Sequence, residues 1–388
     1  MKTYQNISCV APFSSLHISH KSYACCVINP NTGKTVDQTK SLAWNFNNTN
    51  AKLREEFIGW GSDFKKYKDC HLCTSKMDES QNLNHNHRAS EDIDYIKNPT
   101  LTYLHIKFSN KCNLACRTCD PVHSSMLYKE GNLDENYPHL RGLHQDGLYQ
   151  NISRDSELFK SILDNLHNIK HLWFSGGEPF LHEEVWEILD IMYERDLIKD
   201  LTLQVNTNGT VKLNQRRYDI LNACKRSEIH ISMDGIGKYA EYIRTGVVWD
   251  RWIENLKEYK SNIKFDNVFI TATISVFNVH ILDQIVDLFD KQENLNLISN
   301  MVFSPSALSV INMNQQAKDY LNEKYKDNTN NKIKSLLYFI NENKNTLDPS
   351  KVVEFIDNLD DKVIKNSYHR NYIPFREVDP EWYAILKG

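Results

Sequence analysis

Lys111-Cys112-Asn113-Leu114-Ala115-Cys116-Arg117-Thr118-Cys119-Asp120 follows closely on the apolar run Leu101–Phe108, which reads as a strand. The three cysteines are separated by three and two residues. A loop of this tightness can turn three thiolates toward one point, and soft thiolates at such spacing select zinc or an iron–sulfur cluster. A structural zinc normally takes four protein ligands, usually as two separated pairs. Three ligands on one short loop instead leave one iron of a four-iron cluster open to a substrate or cofactor. A zinc site and three buried core cysteines are the competing readings.

Cys-x-x-x-Cys-x-x-Cys on the loop after a first strand resembles the signature of the radical S-adenosylmethionine superfamily. The resemblance implies that Cys112, Cys116 and Cys119 hold a [4Fe–4S] cluster whose open iron is chelated by S-adenosylmethionine. It further implies reductive cleavage of that molecule to a 5′-deoxyadenosyl radical. One departure stands at Thr118, where the family often has an aromatic residue that packs near the adenine.

The chain has 388 residues, enough for two to three domains. With 40% hydrophobic and 25% charged residues it can bury a sizeable core. A net charge of −4 gives no broad electrostatic footprint for nucleic acid. No apolar run is long enough to cross a bilayer, and the N-terminus lacks the apolar stretch of a signal peptide. The expected location is therefore the cytoplasm. In that reducing setting, nine cysteines in spaced clusters favour metal binding over disulfides.

Five cysteines precede the loop: Cys9, Cys25, Cys26, Cys70 and Cys73. Leu16-His17-Ile18 and Tyr23–Val27 read as a hairpin turning at Ser19–Lys21. Leu53–Phe57 reads as a short helix, and Cys70-His71-Leu72-Cys73 as a knuckle that grips a metal from one side. Cys9 with Cys25 or Cys26 can close the same site. That order of parts, with Trp44-Asn45 and the later Glu79 and Arg88, resembles the twitch domain, a shortened relative of the SPASM domain. The resemblance implies an auxiliary iron–sulfur cluster; a zinc ribbon or a metal-free remnant is the alternative. Asn84-His85-Asn86-His87 lies in a polar connector and reads as a solvated loop.

From Leu101 onward strand-like runs alternate with amphipathic stretches. Strands are expected at Leu101–Phe108, His171–Phe174, Leu201–Val205, Glu228–Met233, Val268–Ile274 and Leu297–Phe303. Helices are expected at Ser156–Leu166, Glu183–Glu194, Asn214–Lys225, Trp249–Tyr259 and Ile281–Asp290. Such alternation with short links implies parallel pairing. Six units match an α/β fold, the open (β/α)6 partial TIM barrel of the radical family, with active-site residues at the C-terminal strand ends. The organisation expected is a twitch-like domain over 1–90, a radical core over 91–305 and a helical extension over 306–388. The polar segment Glu130–Asn151, with His139 and His144, occupies the place of a lid.

Ser175-Gly176-Gly177-Glu178-Pro179 follows the second core strand. Two glycines let the backbone approach a ligand closely, and a carboxylate beside them suits an ammonium group. It matches the family's Gly-Gly-Glu-Pro motif, implying contact with the methionine amino group. The family also uses side chains at later strand ends for the ribose hydroxyls and the carboxylate; Asn208, Ser232 and Asp234 fit those places. Arg244, in Arg244-Thr245-Gly246, resembles an element that clamps the carboxylate. Ser275 and Asn278 share the rim with them. Cys224, alone on a helix, reads as a core residue.

These residues point to a radical S-adenosylmethionine iron–sulfur oxidoreductase that abstracts hydrogen from a peptide or protein to oxidise or crosslink it. A dehydrogenase or rearrangement enzyme acting on a sugar or nucleotide is the second reading, and a non-catalytic iron–sulfur or zinc protein the third. Flavodoxin or ferredoxin would supply the electron. One three-cysteine and one four-cysteine set, each holding four irons, predict about eight irons and eight sulfides per chain after anaerobic reconstitution. Stoichiometric zinc, or about four irons, in the metal analysis would remove the second cluster.

Overall fold

A computed structural model describes residues 11–19, 21–23, 34–60, 97–129, 151–264, 268–293, 295–366 and 372–388, with the side chains of 57–60, 292 and 362–366 left aside. In chain order the elements begin with β1 (Ser15–Ile18), β2 (Lys21–Tyr23), β3 (Lys34–Thr35), α1 (Leu42–Trp60) and β4 (Tyr103–Ile106). Next come β5 (Ala115–Cys116), α2 (Ser125–Lys129), α3 (Glu157–Asp164), β6 (His171–Phe174), α4 (Glu183–Glu194) and β7 (Thr202–Thr207). The centre of the chain supplies α5 (Gln215–Ala223), β8 (Arg226–Ser232), α6 (Lys238–Ile243), β9 (Arg244–Thr245), α7 (Trp249–Asn262) and β10 (Val268–Ile274). It closes with α8 (Leu282–Val286), β11 (Asn296–Met301), α9 (Gln315–Tyr325), α10 (Asn331–Glu342), α11 (Ser350–Asn366) and α12 (Pro380–Lys387).

The described residues fall into two compact units. One lies within Met1–Ser109, Gly147–Val205 and Asn214–Glu228, the other within Asn110–Asp146, Asn206–Leu213 and Ile229–Gly388. In the first, β1, β4, β6 and β7 run parallel, and β2 and β3 continue the sheet antiparallel from β1. The hairpin expected at the N-terminus is present, with His17 opposite Tyr23. It is built onto the core's first strand, Leu16 pairing with Leu104, so the described part of 1–90 shares that strand's sheet. The short helix expected at Leu53–Phe57 is the end of the much longer α1.

Each expected core strand is found, within a few residues. The driving force is visible in β7, where Leu203 and Val205 are fully buried and alternate with half-buried Thr202 and Gln204. Each such side chain contributes about 1.5–3 kcal/mol on leaving water. Helix starts have a local cause. Ser156 Oγ accepts from Phe159 N at 3.1 Å, and Asn214 Oδ1 accepts from Arg217 N at 3.0 Å; both residues are caps outside their helices. The expected helix Ile281–Asp290 differs: it is α-helical only over Leu282–Val286 and continues as π-helical turns over Asp287–Gln292.

In the second unit β8, β10 and β11 are parallel. No helix among the described residues is long and apolar enough to cross a membrane. The turn after β7 is fixed by Gly209. Its φ of +73° lies in the left-handed region, and an added Cβ would stand 2.6 Å from Ile231 Cγ2 and 2.7 Å from Trp252 Nε1. Trp252 Nε1 donates to Asn208 O at 2.9 Å, so it cannot retreat without breaking that bond. Gly209→Ala is expected to cost about 2–4 kcal/mol, from overpacking plus backbone strain. A denaturant midpoint unchanged from the parent would show that the turn relaxes.

Candidate active site

The cysteine loop is held by hydroxyl groups at the start of α2. Cys112 N donates to Ser125 Oγ at 3.1 Å, and Ser125 Oγ donates back to Cys112 O at 3.2 Å. Ser124 Oγ donates to Leu114 O at 2.6 Å. Cys119 N closes a tight turn onto Cys116 O at 3.1 Å. The middle of the loop is a two-residue antiparallel ladder, Ala115 opposite Thr245 and Cys116 opposite Arg244. Gly246 follows at φ +106°, where a Cβ would meet Leu114 Cδ2 at 3.1 Å. Arg244-Thr245-Gly246 is thus the wall against which the loop is built.

The side chains above this ladder form one electrostatic cluster. Arg244 Nε lies 3.0 Å from Asp234 Oδ2, an ion pair rather than an aligned hydrogen bond. Its Nη1 is 3.8 Å from Cys116 Sγ. Asp234 has no solvent exposure, and its other oxygen accepts from Thr273 N at 2.7 Å. Asn278 spends its amide on Asp234 O at 2.6 Å and Thr273 O at 2.9 Å, and its carbonyl on Ser275 N at 2.7 Å. These contacts give Asp234, Asn278 and Ser275 the work of fixing Arg244 and two strand ends.

Asn208 approaches from the turn after β7. Its Nδ2 is 2.9 Å from Asn113 Oδ1 and 3.9 Å from Cys112 Sγ, while its Oδ1 accepts from Thr210 N at 2.9 Å. Asn113 Nδ2 returns to Thr210 Oγ1 at 2.8 Å. Two donors, Arg244 and Asn208, therefore face two of the three sulfurs. Ser232, half-buried at the end of β8, pairs in register with Thr271.

Burial pushes the Cys116 thiol up, an effect the Arg244 guanidinium opposes. Burial pushes the Cys119 thiol well up, reinforced by Asp120 and the other two cysteines. Burial alone would lower the Arg244 pKa, but Asp234 and Cys116 outweigh it and raise it. Burial thus disfavours thiolates at Cys116 and Cys119, and nearby positive charge favours them. Among the described residues no three His, Cys, Asp or Glu side chains group as a single metal ion would need. The convergence on one point expected from the spacing is not met at that scale. The donor set, three thiols faced by a guanidinium and an amide, suits an anionic thiolate-ligated cluster spread over several atoms.

The Ser175-Gly176-Gly177-Glu178 turn belongs to the first unit. Gly176 has φ +114°, and a Cβ there would meet Ser109 O at 3.1 Å and Lys107 Cβ at 3.2 Å, so the position requires glycine. Glu178 is fully buried and Oε1 accepts from Phe180 N at 3.1 Å. Ser175 Oγ meets His105 Nε2 at 2.6 Å. His105 lies in a stack, its ring 4.0 Å from His17 and 3.7 Å from Trp173. Cys224 is buried, its thiol 3.6 Å from Ile220 O. Cys9, Cys25, Cys26, Cys70 and Cys73, with Glu79, Arg88 and the segment 130–150, lie outside the described residues.

Sequence reasoning missed Ser124, Ser125, Asn113, His105 and Arg117. The first three are common polar residues whose only signal was nearness to the cysteines. Arg117 stands inside the motif at a variable position, yet it is only 1% exposed, and its Nε donates to Thr245 Oγ1 at 3.0 Å.

The loop thus carries three cysteines and is braced by a buried arginine, Arg244. Residues 106–291 match the family model of the Radical SAM superfamily. One curated relative is molybdenum cofactor biosynthesis protein 1 of Dictyostelium discoideum, 26% identical over 209 residues. That match covers 52% of this chain and 29% of the relative. Among solved structures, anSMEcpe with AdoMet and the Cp18Cys peptide is 17% identical, with a TM-score of 0.41 over 69% of this chain and 66% of that one. SuiB of Streptococcus suis bound to S-adenosylmethionine is 14% identical, with a TM-score of 0.35 over 80% of this chain and 60% of that one.

Asp234→Asn keeps the acceptor for Thr273 N but leaves Arg244 as an uncompensated buried charge. Stability should fall by about 3–5 kcal/mol. Chemical denaturation of the iron-free protein measures it; a loss below about 0.5 kcal/mol would mean that water solvates Arg244.

Proposed function

We propose that this chain is a radical S-adenosylmethionine enzyme that modifies a peptide or protein. The observation that carries the reading is the cysteine loop braced by Arg244 and Asn208, within a segment that matches the radical SAM superfamily. Cys112, Cys116 and Cys119 would hold the cluster as thiolates. When bound, the cluster and S-adenosylmethionine supply one-electron cleavage of the sulfonium and hydrogen abstraction from a substrate.

The chain's own residues would do the rest. Arg244 and Asn208 place positive and polar N–H groups against the sulfurs, which favours thiolate over thiol. The Ser175–Glu178 turn would offer a buried carboxylate to the methionine amino group of the cofactor. Asn208 and Ser232 remain the candidates for hydroxyl contacts. A partial barrel over 91–305 would shield the reacting atoms from water. Cys9, Cys25, Cys26, Cys70 and Cys73 would hold an auxiliary iron–sulfur cluster in a twitch-like domain, receiving an electron in an oxidative reaction. A flavodoxin or ferredoxin in the cytoplasm would reduce the site.

The peptide reading takes its support from the order of cysteine-bearing parts in the N-terminal region. A second reading, a small-molecule substrate, takes support from the relative named for biosynthesis of the molybdenum cofactor.

With S-adenosylmethionine and dithionite, the reconstituted protein should release 5′-deoxyadenosine, and the Cys112, Cys116 and Cys119 triple Ala variant should release none. Glu178→Gln retains an oxygen for Phe180 N and removes only the charge. It should weaken S-adenosylmethionine binding about tenfold, equivalent to about 1.4 kcal/mol, with iron content unchanged. Equal release by the triple variant rejects the cluster assignment, and parental affinity in Glu178→Gln rejects the amine contact.

A further inference from the structure

Arg117 lies between two of the cluster cysteines in sequence, and the second unit buries it almost completely. Its backbone N–H donates to Ile243 O at 2.7 Å. Its Nε donates to Thr245 Oγ1, which in turn donates to Tyr242 O at 2.9 Å. The Tyr242 hydroxyl donates to Asp360 Oδ1 at 2.9 Å, and the Tyr372 hydroxyl donates to the same oxygen at 2.5 Å. Phe375 N donates to Asp360 Oδ2 at 2.7 Å. The circuit closes where the Arg117 guanidinium carbon lies 5.5 Å from the centre of the Tyr372 ring.

Asp360 has no solvent exposure and sits far from the loop in sequence, on α11. Burial pushes its carboxyl up, but Tyr372, Phe375, Tyr242 and Arg117 all act the other way. Three donors converging on one carboxyl make an anion's cage. Arg117, next to Cys116 in the chain, and Asp360 are both buried and are joined through Thr245, Tyr242 and Tyr372, so that one network carries opposite charges from two distant parts of the chain. Cluster potentials depend on nearby charge, hydrogen bonds and solvent access.

We propose that the C-terminal segment is a working part of the cluster site: Arg117 is a buried cation next to Cys116 in the chain, and Asp360, kept anionic by its donors Tyr242, Tyr372 and Phe375, tempers that cation's field, so that the two together set the cluster's reduction potential. The proposal rests on the cluster assignment above. Removing the cation should shift the potential down, because the reduced, more negative cluster loses a stabilising charge. Removing the anion should shift the potential up.

The test is an electron-paramagnetic-resonance redox titration of the reconstituted holoprotein, with iron analysis and melting of the iron-free protein alongside. Arg117→Met should move the midpoint negative, and Arg117→Lys should restore most of it. Asp360→Asn should move it positive. Tyr372→Phe, which keeps the ring against Arg117 and loses one hydrogen bond, should move it the same way by less, and serves if Asp360→Asn fails to fold. Parental midpoints in Arg117→Met and Tyr372→Phe, with full iron, overturn the proposal and leave the cluster assignment standing. Failure of the parent protein to bind iron at the loop overturns that assignment itself.

Discussion

The second unit depends on one buried cation. Arg244 is fixed 3.0 Å from Asp234 and reaches 3.8 Å from Cys116 Sγ, at a depth where an uncompensated charge would be costly. Asp234 is in turn fixed by Thr273 N, and its backbone by Asn278. A braced carboxylate thus holds the guanidinium, and the guanidinium in turn faces a sulfur.

This arrangement answers a conflict in the site's chemistry. Burial favours neutral thiols at Cys116 and Cys119, whereas metal ligation requires thiolates. A guanidinium, always protonated, lowers that barrier without itself being a ligand. The loop's shape is provided separately, by the hydroxyl clamps of Ser124 and Ser125 and the two-residue ladder with Arg244 and Thr245. Shape and charge are therefore controlled by different residues, with Arg244 common to both.

The C-terminal helices join the same logic. Asp379 accepts from Tyr239 at 2.6 Å and from His280 at 2.8 Å, and it caps α12 through Trp382 N. Asp360 gathers Tyr242 and Tyr372. Tyr239 and Tyr242 lie on α6, the helix that leads directly into Arg244. Two carboxylates from the end of the chain, Asp360 buried and Asp379 half-buried, thus anchor the helix that leads into the central cation.

How much of this was legible from sequence can be judged residue by residue. The strands and helices were readable because hydrophobic period is a local signal. Gly176 was legible as a place of close approach to the backbone, but what approaches is the chain itself, at Ser109 O and Lys107. Asp234 and Asn278 were legible as polar residues at strand ends, but not as braces. Whether a carboxylate meets a ligand or a guanidinium depends on which distant strand lies beside it. Arg117 was invisible for the same reason: its partners Thr245, Asp360 and Tyr372 are far along the chain, and no local pattern records them. Sequence by itself determined the elements and where the cysteine-bearing loop falls among them, through propensity and spacing. Only the tertiary structure decided which charges face one another, because burial and pairing are properties of the packed chain.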